Sequence, residues 1–272
     1  MKTLTSKGNP RVKQIRALLT QRKERQTSGL FVAEGIFHVG EACAAGARLE
    51  LICYSPEKLK SDFAQQLIRE QESRGTECLA VSEELFASLA EKDNPPGILA
   101  VVHQSHLGLE HLTSQTFQRG VALTAPQDPG NIGSILRSID AAGASGLLLL
   151  DDPAHDQYCA DLYHPASVRA SMGALFWLPL VKCTFDDFRS WVKLHGYTVY
   201  GTSAHASLDY CQVERYQQPL VLLMGSEREG LFPDQAAACN VLVKMPMKGH
   251  VTSLNLATAT SIMLYKILEK SS

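Results

Sequence analysis

The 272-residue sequence predicts an α/β protein with a C-terminal, mostly parallel sheet and a smaller N-terminal α/β domain. Three observations carry this reading. After Gly120, near-continuous apolar runs recur between helical stretches, the pattern of strands covered on both faces. Before His103, shorter strands alternate with helices, as a layered domain requires. Between the two, the chain is polar and without period. It therefore divides into a domain at 1–103, a linker at 104–119 and a domain at 120–272.

The first helix carries Val12, Ile15, Leu18 and Leu19 as one apolar stripe, with Arg11, Lys13, Arg16, Arg22 and Lys23 around its other sides. A strand at 30–33 leads through Glu34-Gly35 into a helix to about residue 45. A strand at 49–54 and a charged helix over 61–74 follow. A short strand near 78–81 precedes a helix that Ser82 can cap, and Asn94-Pro95-Pro96-Gly97 breaks the chain before a strand at 98–102. In the second half, strands are expected at 121–124, 146–150, 197–201, 219–224 and 241–245. The final helix, over 253–270, is apolar nearly all round in its first half. Such a helix suits an interface, so a homodimer is expected.

Composition narrows the class. Hydrophobic residues make up 45% and charged residues 20%, which fits a globular enzyme and excludes a disordered tail or a fibre. No run approaches the ~18 apolar residues of a membrane span, and the start lacks the apolar core of a secretory signal. Seven scattered cysteines without a C-x-x-C pair argue for reduced thiols and a cytoplasmic protein. His103, His106 and His111 lack a Cys or acidic ligand at metal spacing and read as solvated. The net charge of −2 hides an asymmetry: eight basic side chains against one acid give the first 30 residues +7, leaving −9 for the rest. A basic arm on an acidic body suits capture of a polyanion, although a solvated helix face has the same composition.

Three segments each follow an apolar run and open onto Gly-rich or polar backbone. They are Asp128-Pro129-Gly130-Asn131-Ile132-Gly133 running on to Arg137, Met224-Gly225-Ser226-Glu227 running on to Gly230-Leu231, and Met245-Pro246-Met247-Lys248-Gly249 running on to Ser253-Leu254-Asn255. Ligands of open α/β sheets lie beyond the carboxyl ends of strands, so three such ends predict one cleft. The G-x-x-G spacing fails the dinucleotide fingerprint, although Asp151 and Asp152 lie where a ribose-binding acid would. Leu231-Phe232 stands where a Walker loop needs Lys and Ser/Thr, and no G-x-S-x-G elbow occurs. Arg137 is placed on the first turns of a helix starting near Ile132, where the macrodipole disfavours a cation and a bound anion, or a surface salt bridge, would account for it. Glu227 either caps, pairs with Arg228 or serves a ligand. Ser253 and Asn255 are expected both to cap the last helix and to meet the ligand.

Together these segments resemble the SpoU (TrmH) family of RNA ribose 2′-O-methyltransferases in the SPOUT superfamily. All three of that family's motifs match in order, and the stretch from His164-Pro165-Ala166-Ser167 to Met172-Gly173-Ala174 resembles its middle segment. Asn9-Pro10-Arg11-Val12-Lys13 and Phe31-Val32-Ala33-Glu34-Gly35 resemble the ribosomal-protein-like substrate-binding domain found ahead of many members. The resemblance implies a deep trefoil knot, with S-adenosylmethionine (AdoMet) as cofactor against Met224, Gly225, Ser226, Met245, Gly249 and Leu254. It implies catalytic roles for Arg137, Asn131, Glu227, Ser253 and Asn255. It also implies RNA binding through Arg11, Lys13, Arg16, Arg22 and Lys23, with 23S ribosomal RNA the favoured substrate. The alternatives are transfer RNA, or a noncatalytic RNA-binding or ribosome-assembly factor on the same scaffold. Arg228 and Thr252 depart from the family pattern, which often has Gly and Glu there.

Overall fold

The computed structural model describes residues 3–89, 97–105 and 107–271; Asn94, Pro95, Pro96 and His106 fall outside them. The chain forms two compact units. One comprises Met1–Gln104 with Tyr163–Trp177, and the other Ser105–Leu162 with Leu178–Ser272.

The first unit opens with α1 (Pro10–Thr20) and α2 (Arg22–Ser28), followed by β1 (Leu30–Glu34), α3 (Ile36–Ala44), β2 (Leu49–Tyr54), α4 (Asp62–Ser73), β3 (Glu77–Ala80), α5 (Glu83–Ala87) and β4 (Ile98–His103). The Asn9 side chain accepts from the Arg11 amide at 2.9 Å and Pro10 occupies the first turn, which fixes the start of α1. Its stripe Val12, Ile15, Leu18 and Leu19 is buried against Leu30, Val32, Leu51 and Val101 of the sheet. Each such side chain contributes about 1.5–3 kcal/mol. The four strands run in the order β1-β4-β2-β3, with β4 antiparallel to both neighbours and β2 parallel to β3. Because side chains alternate along a strand, Phe31 points away from α1. It meets Tyr163 and Phe176, with ring centroids 4.6 and 6.0 Å away. The Tyr163–Trp177 segment thus covers the sheet face opposite α1, and the Trp177 indole N–H donates to Glu41 at 2.7 Å.

The second unit contains β5 (Arg119–Thr124), α6 (Pro129–Ala141) and β6 (Gly146–Asp151). After α7 (Pro165–Ala170), which clusters with the first unit, come β7 (Leu180–Thr184), α8 (Phe185–Leu194), β8 (Thr198–Thr202), β9 (Leu208–Asp209), β10 (Leu220–Met224), α9 (Pro233–Ala237), β11 (Val241–Lys244) and α10 (Leu256–Lys270). All pairings in the seven-stranded sheet β7-β6-β5-β10-β8-β11-β9 are parallel. The stretch 104–119, read from the sequence as a linker, contributes Leu112 and Phe117 to this unit's core. From β5 the chain steps outward through β6 and β7, then reverses to β8. Right-handed crossovers therefore put α6 and α8 on opposite faces. The order reverses between β5 and β8, and β10 fills that gap. β11 then passes to the far side of β8, and α10 returns to pack on α6. Such a switch point is where ligands of open α/β sheets bind.

Candidate functional site

The carboxyl ends of β5, β10 and β8 converge at the switch point. At the end of β5 the Thr124 hydroxyl donates to the Met224 carbonyl at 3.2 Å, tying β5 to β10. The following helix begins at Pro129, earlier than its apolar residues suggest, because Asp128 caps it by accepting from the Gly130 amide at 2.7 Å. Arg137 consequently lies in the third turn and not the first, so the macrodipole argument for a bound anion falls away. The Arg137 side chain is exposed and makes no hydrogen bond or ion pair among the described residues.

Asn131 joins the three segments. It is 8% exposed, donates through Nδ2 to Glu227 Oε1 at 3.1 Å, and accepts at Oδ1 from Asn255 Nδ2 at 2.9 Å. The Glu227 carboxylate also accepts from the amides of Gln127 at 3.1 Å and Asp128 at 3.4 Å, beside the positive end of α6. It therefore neither caps its own segment nor pairs with Arg228. Asn255 Oδ1 accepts from the amides of Ala257 and Thr258, so α10 starts at Leu256. Ser253 lies outside that helix and does not cap it.

Beyond Met224, Ser226 and Gly230 exchange amide–carbonyl bonds of 3.1 and 3.0 Å, closing a five-residue loop with Gly230 at φ +69°. A Cβ on Gly225 would run into the Gly230 carbonyl and the Leu231 amide, so only glycine fits there. The loop walls a cavity of about 670 Å³, within the usual ~300–1,000 Å³ of small-molecule sites. Met224, Gly225, Ser226, Glu227, Met245, Ser253, Leu254 and Asn255 all line it, as do Arg228 and Thr252. Asn131, Arg137 and Gly249 are not on its wall. Thr202, Ser203, Ala204 and His205 also line it and were missed in the sequence. Their signal was of the same kind, a polar Thr-Ser-Ala-His run directly after an apolar strand.

The competing nucleotide reading fails on the acids it needs. Asp151 pairs with Lys182 at 2.9 Å and accepts from the Cys159 amide at 2.8 Å. Burial works against its charge, but these partners outweigh burial and hold its carboxyl below the ordinary value. Asp152 is 3% exposed and accepts from Gln235 at 2.6 Å. Among the described residues no group of three or more His, Cys, Asp or Glu could hold a metal ion, and no helix is long and apolar enough to cross a membrane.

In the first unit the basic surface is smaller than its count suggests. Arg25 is buried and donates to the Leu18 carbonyl at 2.6 Å, capping the end of α1. Arg11 is held by Glu50 at 3.1 Å and Glu77 at 2.5 Å, and this pairing keeps the Glu50 carboxyl below its usual range. Lys13, Arg22 and Lys23 are exposed and Arg16 is half-buried.

Known proteins place this geometry. Residues 118–265 match the SpoU rRNA Methylase family, and residues 9–100 match an MRM3-like substrate binding domain. A 23S rRNA (uridine(2479)-2′-O)-methyltransferase of Streptomyces viridochromogenes is 33% identical, over 96% of this chain and 90% of its own. The 23S rRNA (guanosine(2553)-2′-O)-methyltransferase RlmP of Bacillus subtilis is 28% identical, over 98% and 99%. The crystal structure of an AdoMet-bound rRNA methyltransferase from Sinorhizobium meliloti superposes with a TM-score of 0.88 at 35% identity, covering 98% of this chain and 97% of that one. With a family model over more than half its length and a relative matched almost end to end, this chain is a member of the SpoU rRNA methylase family, built on that family's knotted α/β methyltransferase fold behind a smaller N-terminal domain.

Proposed function

We propose that this protein transfers the methyl group of AdoMet to a ribose 2′-hydroxyl of 23S ribosomal RNA. The observation that carries the reading is the cavity at the end of β10, whose wall closes only around glycine at Gly225. Met224, Met245 and Leu254 offer apolar contact there, and the backbone of the 226–230 loop offers polar partners, a donor set that fits AdoMet's adenosine and methionine parts. When bound, AdoMet supplies an electrophilic methyl. The protein must hold the acceptor oxygen in line with it and help the hydroxyl lose its proton.

Arg137 is the residue assigned to that second task. A guanidinium, with a pKa of about 12.5–13.8, is a poor base on its own. In our reading it pairs with a phosphate of the substrate and lowers the cost of forming the alkoxide. Its exposure and its lack of a partner among the described residues support that role. Asn131, Glu227 and Asn255 keep α6 registered to the cavity wall, and Ser253 faces the ligand. Lys13, Arg16, Arg22 and Lys23 draw in RNA phosphates, with Arg11 holding α1 in place.

The protein acts as a homodimer through the second unit in this account. Ile262 is 37% and Tyr265 54% exposed on α10, an apolar stripe that a second copy would cover. The test is primer-extension mapping of ribose methylation in 23S rRNA from cells with and without the gene, alongside calorimetry of AdoMet binding. Loss of one 2′-O-methyl stop with submillimolar AdoMet affinity is expected; an unchanged map would overturn the assignment.

A further inference from the structure

Tyr158 is 52% exposed on the loop after β6, yet the backbone around it is fixed on every side. Asp152 and Gln157 exchange amide–carbonyl bonds of 2.7 and 2.9 Å. The Cys159 amide donates to Asp151, and the Ala160 amide donates to the Pro126 carbonyl at 2.7 Å. Beneath the loop, the buried Asp152 accepts from Gln235 and is bonded to His155 at 2.8 Å, while His155 stacks on Phe232 with ring centroids 3.9 Å apart. The Tyr158 side chain itself takes part in none of this. It has no ring contact or hydrogen bond among the described residues.

The loop is also joined to the cavity. Gln127 donates through Nε2 to the Tyr158 carbonyl at 3.0 Å, and its backbone amide donates to Glu227 at 3.1 Å. One residue therefore links the tyrosine to the cavity wall.

We propose that Tyr158 is a stacking platform for an unpaired base of the RNA, beside the nucleotide whose ribose is methylated. This rests on the function proposed above. Aromatic rings accept any base on their π-face, and single-stranded RNA is commonly held in this way. The backbone that presents the ring is already ordered, so binding has only the side-chain rotamers of Tyr158 left to fix, and stacking adds affinity at a small entropic cost. It also adds no sequence demand, so the N-terminal unit is left to select the RNA.

The test uses full-length protein and an unmethylated 23S rRNA transcript, with RNA binding and methyl transfer measured separately. Stacking is worth ~1–3 kcal/mol per base, so Tyr158→Ala should weaken transcript binding by about 5- to 150-fold. AdoMet affinity should be unchanged, which also reports a folded cavity, and Tyr158→Phe should bind as wild type. Equal binding by wild type and Tyr158→Ala overturns the proposal. So does a Phe variant as weak as the Ala variant, or an effect of Tyr158→Ala on self-association alone, which would make the ring a contact between copies. A wild type that binds the transcript without methylating it would sink the proposed function, while the binding ratio would still decide the role of the ring.

Discussion

Asn131→Asp tests how the three segments are held together. Asn131 must present its Nδ2 to Glu227, since an ionised carboxylate only accepts, and this turns Oδ1 toward Asn255. The substitution keeps the shape and the bond from Asn255 but sets a second carboxylate 3.1 Å from Glu227. Two charges at that distance repel by about 5 kcal/mol at an effective dielectric near 20, and by about 1.3 kcal/mol in bulk water. Asn131 is buried while Glu227 reaches solvent, so the expected cost at neutral pH is about 2–4 kcal/mol. A proton shared between the carboxylates relieves it. That proton is held more tightly in the folded than in the unfolded chain, so the folded-state pKa is raised. The deficit is therefore full well above that pKa and shrinks as pH falls toward the ordinary carboxylate range. Denaturant unfolding of wild type and variant across about pH 5 to 8 reads it directly. A deficit that does not change with pH, or none at pH 8, would show that Asn131 does not face Glu227.

Gly225→Ala should abolish AdoMet binding in calorimetry, because the added methyl meets backbone that the Ser226–Gly230 bonds hold in place; unaltered affinity would remove the cavity from the account. Arg137→Ala should end methyl transfer while leaving AdoMet affinity nearly intact, and equal loss of both would refute its role. Neutralising Lys13, Arg16 and Lys23 together should flatten the salt dependence of RNA binding by roughly 0.7–0.9 in slope for each RNA phosphate that these cations pair with. Arg11→Ala should change that slope less and instead lower stability by up to about 1 kcal/mol, since its half-exposed guanidinium is already paired with Glu50 and Glu77.

The buried strands were legible because sheets covered on both faces need unbroken apolar runs, and β6 and β10 fall within a residue of where those runs place them. The edge strand β7 was not, because its outer half is partly exposed and breaks the run at Lys182. The start of α6 was written in Asp128-Pro129, a cap followed by a first-turn proline, but the apolar period alone placed it at Ile132. Arg11 shows a harder limit. Its partners Glu50 and Glu77 lie 39 and 66 residues away, so no local pattern separates a structural cation from one facing RNA. The grouping of Tyr163–Trp177 with the first unit is non-local for the same reason. In the site, each segment could be read alone, whereas the link from Glu227 through Asn131 to Asn255 exists only once β10 has entered between β5 and β8.

The most direct test of the central claim asks which atom of the RNA receives the methyl group. Protein, AdoMet carrying an isotopically labelled methyl and unmethylated 23S rRNA would be incubated, the RNA digested to nucleosides, and the products resolved by mass spectrometry. One labelled 2′-O-methyl nucleoside is expected, and its formation should depend on Arg137 and Gly225. Label on a base, or no label on any nucleoside, would contradict it.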